Sequence, residues 1–236
     1  MKIDFDFDVR TDAKGKDPDI YSNILKKYHK FLWSKELPNG QLLDLEEIPP
    51  YLAFRFNMQT INFSSDSIAN SYGNTKRINL LINEIGRSEI EEFIDKNSTI
   101  GAYIIFPSKR ENGQMTINGA RGFNNRIADR FDLTLECIRR KYLGLDNPLS
   151  ETLNSATNHF FFSMFKDFRG YVDFFHLQDL ASDDYQKVKF FIESGSDLSG
   201  NAVPRTAIEY REYKSNSMAF VDARAARMKD WEASRN

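Results

Sequence analysis

The chain has one cysteine, two tryptophans and three histidines in 236 residues. A single cysteine, Cys137, excludes a disulfide framework and a cysteine-cage zinc site. His29, His159 and His176 share no HxxxH or HxH spacing, so a histidine-based metal site is not expected and the metal class is read as none. No stretch approaches the ~18 consecutive apolar residues of a membrane span, so no membrane partner is expected. The opening Met1-Lys2-Ile3-Asp4-Phe5-Asp6 is too acidic and alternating for a signal peptide, which makes the cytoplasm the expected location. Charge of one sign is also missing: 32 Lys+Arg face 34 Asp+Glu, and a net −2 argues against non-specific duplex binding.

Aromatics, by contrast, are abundant. Twenty Phe and ten Tyr imply a core built largely from rings, and 41% hydrophobic with 28% charged residues is globular usage. The charge is unevenly placed. Between Lys109 and Lys141 eight bases meet four acids, whereas between Tyr171 and Ser199 six acids meet two bases. The near-neutral total therefore hides a basic centre and an acidic later segment.

The pattern implies a single α+β domain over 1–236, with a small mixed or antiparallel sheet, several helices and a helical C-terminal half. Alternation predicts a strand over 3–9, and Asp17-Pro18 predicts a helix start. Strands are expected over 51–57 and 59–63, with a break at Asn57-Met58, and Ser64-Ser65-Asp66-Ser67 reads as the cap of a short helix. A helix over 75–85 follows Gly73-Asn74, and Ser88 with Glu91 suggests a capping box. Buried strand 99–106, an Asn112-Gly113 turn and return strand 114–118 form an expected hairpin. Helices are expected over 125–143, from Pro148 to about 165, from an Asp167 cap to 180, and over 205–233. A last strand is expected over 187–192. The closing helix reads as a solvated surface element.

The most suggestive chemistry lies in the basic centre. A strand ending at Asn118, a Gly119-Ala120-Arg121-Gly122 turn and a helix starting after Asn124 would offer free amides to an anion. Arg121, Arg126 and Arg130 would supply positive charge, and Asn118 and Asn124 hydrogen bonds. The competing reading is a tight turn whose arginines pair with Asp129 or Asp132. A second candidate is Arg169 with Asp173, spaced i,i+4 on a helix that reads as buried on most sides. The pair is either an anion and acid/base site at a cleft floor or a structural ion pair. Asp4, Asp6 and Asp8 invite a magnesium reading, since Asp-x-Asp at a strand tip marks phosphohydrolases of the haloacid-dehalogenase type. Here the acids alternate along the segment, which reads as a solvated strand face.

Several blocks together resemble a known family. They are Phe5-Asp6-Phe7-Asp8-Val9-Arg10, Tyr28 to Lys35 with Leu37-Pro38-Asn39-Gly40, and Ser65-Asp66-Ser67-Ile68. With them go Met115 to Asn124 continuing through Arg130 to Arg140, and Gly170 to Phe175 with Gln178-Asp179-Leu180. The chain resembles, over nearly its whole length, a family of bacterial and phage proteins of unknown function. The resemblance implies such an origin and assigns no catalytic residue or cofactor. Two functions remain. One is binding or processing of a phosphate-bearing ligand, a nucleotide or nucleic acid, around residues 118–130. The other is a non-enzymatic interaction with another protein in bacterium–phage conflict.

Overall fold

The computed structural model describes residues 1–56, 59–73, 75–111 and 113–235. The strand expected over 3–9 does not form. Ile3 and Phe5 are buried, but the segment meets a neighbour only at the isolated bridge Asp8–Thr99. Alternation without a partner strand does not hold an extended ribbon, and the capping chemistry of Asp8 prevails. Its carboxylate accepts from the Arg10 amide at 2.9 Å and starts α1 (Val9–Ala13). Asp17 caps α2 (Pro18–Tyr21) as the sequence indicated, and Ser22 caps α3 (Asn23–Trp33).

A four-stranded antiparallel sheet follows, ordered β1 (Leu45–Ile48), β2 (Tyr51–Phe56), β3 (Gln59–Ser67) and β4 (Tyr103–Pro107). Leu52 lies opposite Phe63 and Phe54 opposite Ile61, so alternation places four buried apolar side chains on one face. The segment read as a helix cap, Ser64 to Ser67, continues β3, with Ser65 opposite Ile105 and Asp66 opposite Ile104. The expected strand over 99–106 begins late, because Ile100–Ala102 makes a turn of 3₁₀ helix. Between β3 and β4 the helix expected over 75–85 shortens to α4 (Ile82–Ile85), and α5 (Arg87–Asn97) starts one residue after Gly86. Gly86 has φ 89°, a backbone conformation favouring glycine, and no side chain caps α5, so the capping box at Ser88 is not formed.

The return strand over 114–118 is also absent. Thr116 accepts from the Gly119 amide at 3.2 Å and opens α6 (Ile117–Phe123). The expected break at Asn57-Met58 and the turn residues Asn74 and Asn112 lie outside the described residues. The C-terminal part is helical: α7 (Phe131–Tyr142), α8 (Ser150–Leu153), α9 (Ala156–Ser163), α10 (Phe168–Phe174) and α11 (Ala207–Ala233). Asp167 caps α10, accepting from the Gly170 amide at 2.8 Å. No strand forms over 187–192, where only Val188 bridges Ala181. The chain is thus α+β, with an antiparallel sheet and a helical C-terminal end.

The closing helix is a core element and not the expected surface one. It runs about 40 Å at 1.5 Å per residue and buries Tyr210, Tyr213, Ser217, Phe220, Val221, Arg224 and Met228. Gly101 permits its approach: a Cβ there would stand 3.0 Å from Ala225 Cβ and 3.1 Å from the Val221 carbonyl. Under the C-terminal helices Phe161, Phe165, Tyr171, Phe174 and Phe175 pack with centroids 4.9–6.4 Å apart, mostly edge-on or tilted. Gly170 is required at this junction, because a Cβ would lie 2.1 Å from the Phe165 carbonyl oxygen.

Candidate functional site

The basic centre does not form a strand, loop and helix. Asn118, Gly119, Arg121 and Gly122 belong to α6, Asn124 caps its C-terminus, and Arg126 and Arg130 lie in the link to α7. That link turns through Ala128 and Asp129, both at positive φ, and Arg130 takes the N-cap position of α7. The helix therefore starts at Phe131, not at residue 125.

Arg121 is fully buried. Its guanidinium pairs with Asp66, lies 3.6 Å from Asp129 Oδ1, and donates to the Ser67 and Asp129 carbonyls and to Thr134 Oγ1. Burial disfavours its charge, but the two carboxylates overcome this and hold its pKa above the usual value. Asp66 is pushed up to about 7, first by burial and further by Asp129, because two acids share one arginine. Arg130 is likewise buried, bidentate to Asp132 at 3.2 and 2.5 Å, and donates to the Ile192, Ser194 and Ala202 carbonyls. Exposed Arg126 donates to the Leu198 carbonyl. Asn124 donates to the Pro148 carbonyl at 3.1 Å, and Asn118 donates to Ser64 Oγ and the Ser65 carbonyl. Arg121 and Arg130 thus face their own carboxylates in filled surroundings, as the competing reading of the turn describes. Of the set, Asn124 borders an open cleft of about 440 Å³, beside Met115, Ala120, Phe123 and Glu151.

The second candidate lies elsewhere than expected. Phe168, Tyr171, Val172 and Phe174 are buried, but α10 keeps one solvent face, and Arg169 and Asp173 occupy it at 69% and 41% side-chain exposure. They approach to 3.5 Å. Asp173 Oδ1 also accepts from Tyr185 Oη at 2.7 Å and from Gln178 Nε2 at 3.2 Å. The Arg169 guanidinium lies 5.0 Å from the Tyr185 ring centroid. Both residues line an open cleft of about 610 Å³, with Lys35, Phe174, His176 and Trp231.

Lys35 gave no sequence signal, yet its amine sits among aromatic rings with no ion-pair partner among the described residues. It follows α3 and carries its ammonium among the rings of Phe174, Trp231 and Trp33, at 4.5, 4.8 and 5.3 Å from their centroids. It donates to the Phe174 carbonyl at 2.7 Å and lies 3.2 Å from His176 Nε2. Among the described residues no carboxylate lies within 4 Å of it. Burial, then repulsion from Arg224 and Arg235, brings its pKa down to about 7. Behind it Arg224 is fully buried, with no carboxylate paired to it among the described residues. It donates to the Phe175, Gly101 and Tyr103 carbonyls and leaves Nη2 without a partner. Burial lowers it to about 9. His176, at φ 56°, is brought down to about 3 by burial and by Lys35, Arg224 and Arg227.

A further pair suggests nucleophilic chemistry and excludes it. His29 Nε2 lies 2.8 Å from Ser65 Oγ, bringing a histidine to a serine that has no base near it in sequence. Trp33 Nε1 donates to His29 Nδ1 at 2.9 Å. An indole N–H can only donate, so Nδ1 is unprotonated and the neutral ring carries its proton on Nε2. His29 therefore donates to Ser65 and cannot take its proton. Asp8 meanwhile pairs with Arg10, and Asp4 Oδ1 accepts from the Asp6 amide. Among the described residues no group of three or more His, Cys, Asp or Glu side chains is arranged to hold a metal ion. No helix among them is long and apolar enough to cross a membrane.

The antiparallel sheet flanked by helices defines an α+β protein, and in the cleft beside Lys35 the acids Glu36, Asp167 and Asp173 share the lining with Lys35, Lys166 and Arg169. The chain belongs to the family of unknown function designated DUF6994, whose model matches residues 3–228. No curated protein and no solved structure matches it significantly.

Proposed function

We propose that the protein binds a small phosphate-bearing ligand of nucleotide size in the cleft between the α3 C-terminus, α10 and the end of α11. One observation carries this reading: Lys35, a cation largely withdrawn from water, faces the cleft without a carboxylate partner. A buried charge is normally paired, and an anion entering the cleft would complete the pairing. Arg169 stands at the rim, 69% exposed, beside Asp173 on the next helical turn and over the Tyr185 ring, where an incoming anion would meet it. The cleft volume falls in the range of small-molecule sites.

The test is thermal unfolding with inorganic phosphate, pyrophosphate and AMP, repeated on Arg169→Gln. Binding at 100 times Kd stabilises a folded chain by about 2.7 kcal/mol, which moves the midpoint by several degrees. A rise in midpoint that Arg169→Gln reduces and Arg126→Gln leaves intact is the expected result. No rise with any of the three ligands overturns the proposal.

A second reading, interaction with another protein, is favoured by Phe123 and Met115. They are 78% and 42% exposed beside the shallow cleft at α6.

A further inference from the structure

We infer that Lys35 is a carbonyl-reactive amine, and that the cleft takes a small anionic aldehyde or ketone as a covalent imine on Lys35 Nζ. This rests on the reading of the cleft as an anion site and adds a reaction to it.

The geometry begins with the backbone. Pro38-Asn39-Gly40 ends the segment after α3, and the Leu37 amide accepts no freedom there because it donates to the Gln41 carbonyl at 2.7 Å. The short link holds Lys35 against α10 and α11 and leaves its amine at the cleft wall. Two acceptors face Nζ, the Phe174 carbonyl oxygen and, in the tautomer that carries its proton on Nδ1, His176 Nε2. A neutral amine has two N–H bonds and one lone pair. With both N–H bonds directed to those acceptors, the lone pair is the direction left for an incoming carbon.

Burial and the cations nearest Nζ favour the neutral form. His176, just after α10, is held uncharged by burial, while Arg224 of α11 and Arg235 just beyond it repel an ammonium. Glu36, Asp167 and Asp173 also line the cleft and favour the ammonium, and Lys166 opposes them, but among the described residues no acid is within salt-bridge distance of Nζ. The three aromatic rings and one carbonyl favour the charged form, whereas burial and the neighbouring arginines bring the amine down to about 7. About half of it is then neutral at pH 7, against well under one per cent for a lysine of ordinary pKa near 10.4. Burial among apolar groups next to other cations is a general way to make a lysine a nucleophile.

The step balances without a further reagent. The Lys35 nitrogen forms a bond to the carbonyl carbon, and the carbonyl carbon–oxygen bond breaks. The two amine protons leave with that oxygen as water, and a C=N bond remains. Arg169 holds the anionic group of the same molecule at the rim.

The experiment is reductive trapping of the native chain with glyoxylate and sodium cyanoborohydride at pH 7, with every lysine quantified by peptide mass spectrometry. Lys35 is expected to gain its carboxymethyl mass at least tenfold faster than the median lysine. Denaturation in urea should abolish that preference, and Lys35→Arg should remove the adduct while circular dichroism shows the fold retained. A native Lys35 that reacts no faster than the other lysines overturns the inference, and a phosphate-induced thermal shift would then still support the anion site. Protection of Lys35 by inorganic phosphate that is lost in Arg169→Gln supports both. Fast labelling of Lys35 that saturating phosphate does not slow supports the amine and overturns the anion site.

Discussion

Arg121 of α6 sits between Asp66 and Asp129, whereas Arg224 of α11, equally buried, meets among the described residues carbonyl oxygens and the Trp33 ring but no carboxylate. The difference divides the molecule by chemistry. At the α6–α7 junction cations and carboxylates arrive together from β3, α6 and the link to α7, so the local field is closed and the pairs fix geometry. Around Trp33 and Trp231 the cations Lys35 and Arg224 form no ion pair among the described residues, the acids Glu36, Asp167 and Asp173 stand farther off in the cleft lining, and the field stays open toward the cleft. A closed set of charges holds a fold, while an open set is able to bind or react. The basic centre that dominates the sequence is therefore the structural half, and the functional candidate draws on residues spread across α3, α10 and α11.

The largest effect is expected from breaking the closed set. Arg121→Ala would leave Asp66 and Asp129 facing each other without a cation. Removing one partner of a buried pair costs about 3–5 kcal/mol, measurable as a lowered urea midpoint at unchanged slope. A loss below about 1 kcal/mol would show that the carboxylates relax into water, and the contrast between the two regions would fail.

A smaller effect should come from the open set, through pH. Burial brings both His29 and His176 down to about 3, so both are neutral in the folded chain. Below pH 6.5 the unfolded chain takes up these protons and the folded chain does not, so stability present above 6.5 is lost as pH falls toward 3. Each histidine contributes about 1.4 kcal/mol per pH unit in that window. His176→Asn removes one titration, and asparagine tolerates the left-handed backbone found there. Between pH 6.5 and 5 the variant should lose about 2 kcal/mol less than the wild type. Equal losses in urea titrations at the two pH values would mean that His176 already takes up its proton in the fold.

The sequence displayed the α+β class, the β2–β3 pair, the Asp17 and Asp167 caps and the i,i+4 pair Arg169–Asp173, because each rests on neighbours in sequence. It concealed what depends on distant partners. The buried stripe of α11 recurs at helical spacing through Tyr210, Tyr213, Ser217, Phe220, Val221, Arg224 and Met228, but Ser217 and Arg224 make it look solvated. Arg224 is tolerated inside because carbonyls from the turn before β4, from β4 itself and from the end of α10 converge on it. Lys35 is one lysine among many until Phe174, His176 and Trp231, almost 200 residues away at the farthest, surround it. The glycines of α6 misled in the other direction, since Thr116 supplies a cap that turns an apparent ligand loop into a helix.

The smallest expected effect is the sharpest form of the comparison. Arg169 and Arg121 are both arginines beside aspartates, but Arg169 is 69% exposed and its partner Asp173 is 41% exposed. In water such a pair gains little Coulomb energy and loses side-chain freedom, and an i,i+4 helix pair is worth about 0.3–0.5 kcal/mol. Asp173 also keeps Tyr185 and Gln178 as donors when the guanidinium is gone. Arg169→Ala should therefore change the unfolding free energy by less than about 0.5 kcal/mol, while Arg121→Ala costs several times more. If Arg169→Ala unfolds at the same urea concentration as the wild type, any ligand-induced shift it loses is lost at the cleft and not through the fold. A cost above about 1.5 kcal/mol would instead make Arg169 a structural residue and move it into the closed half of the molecule.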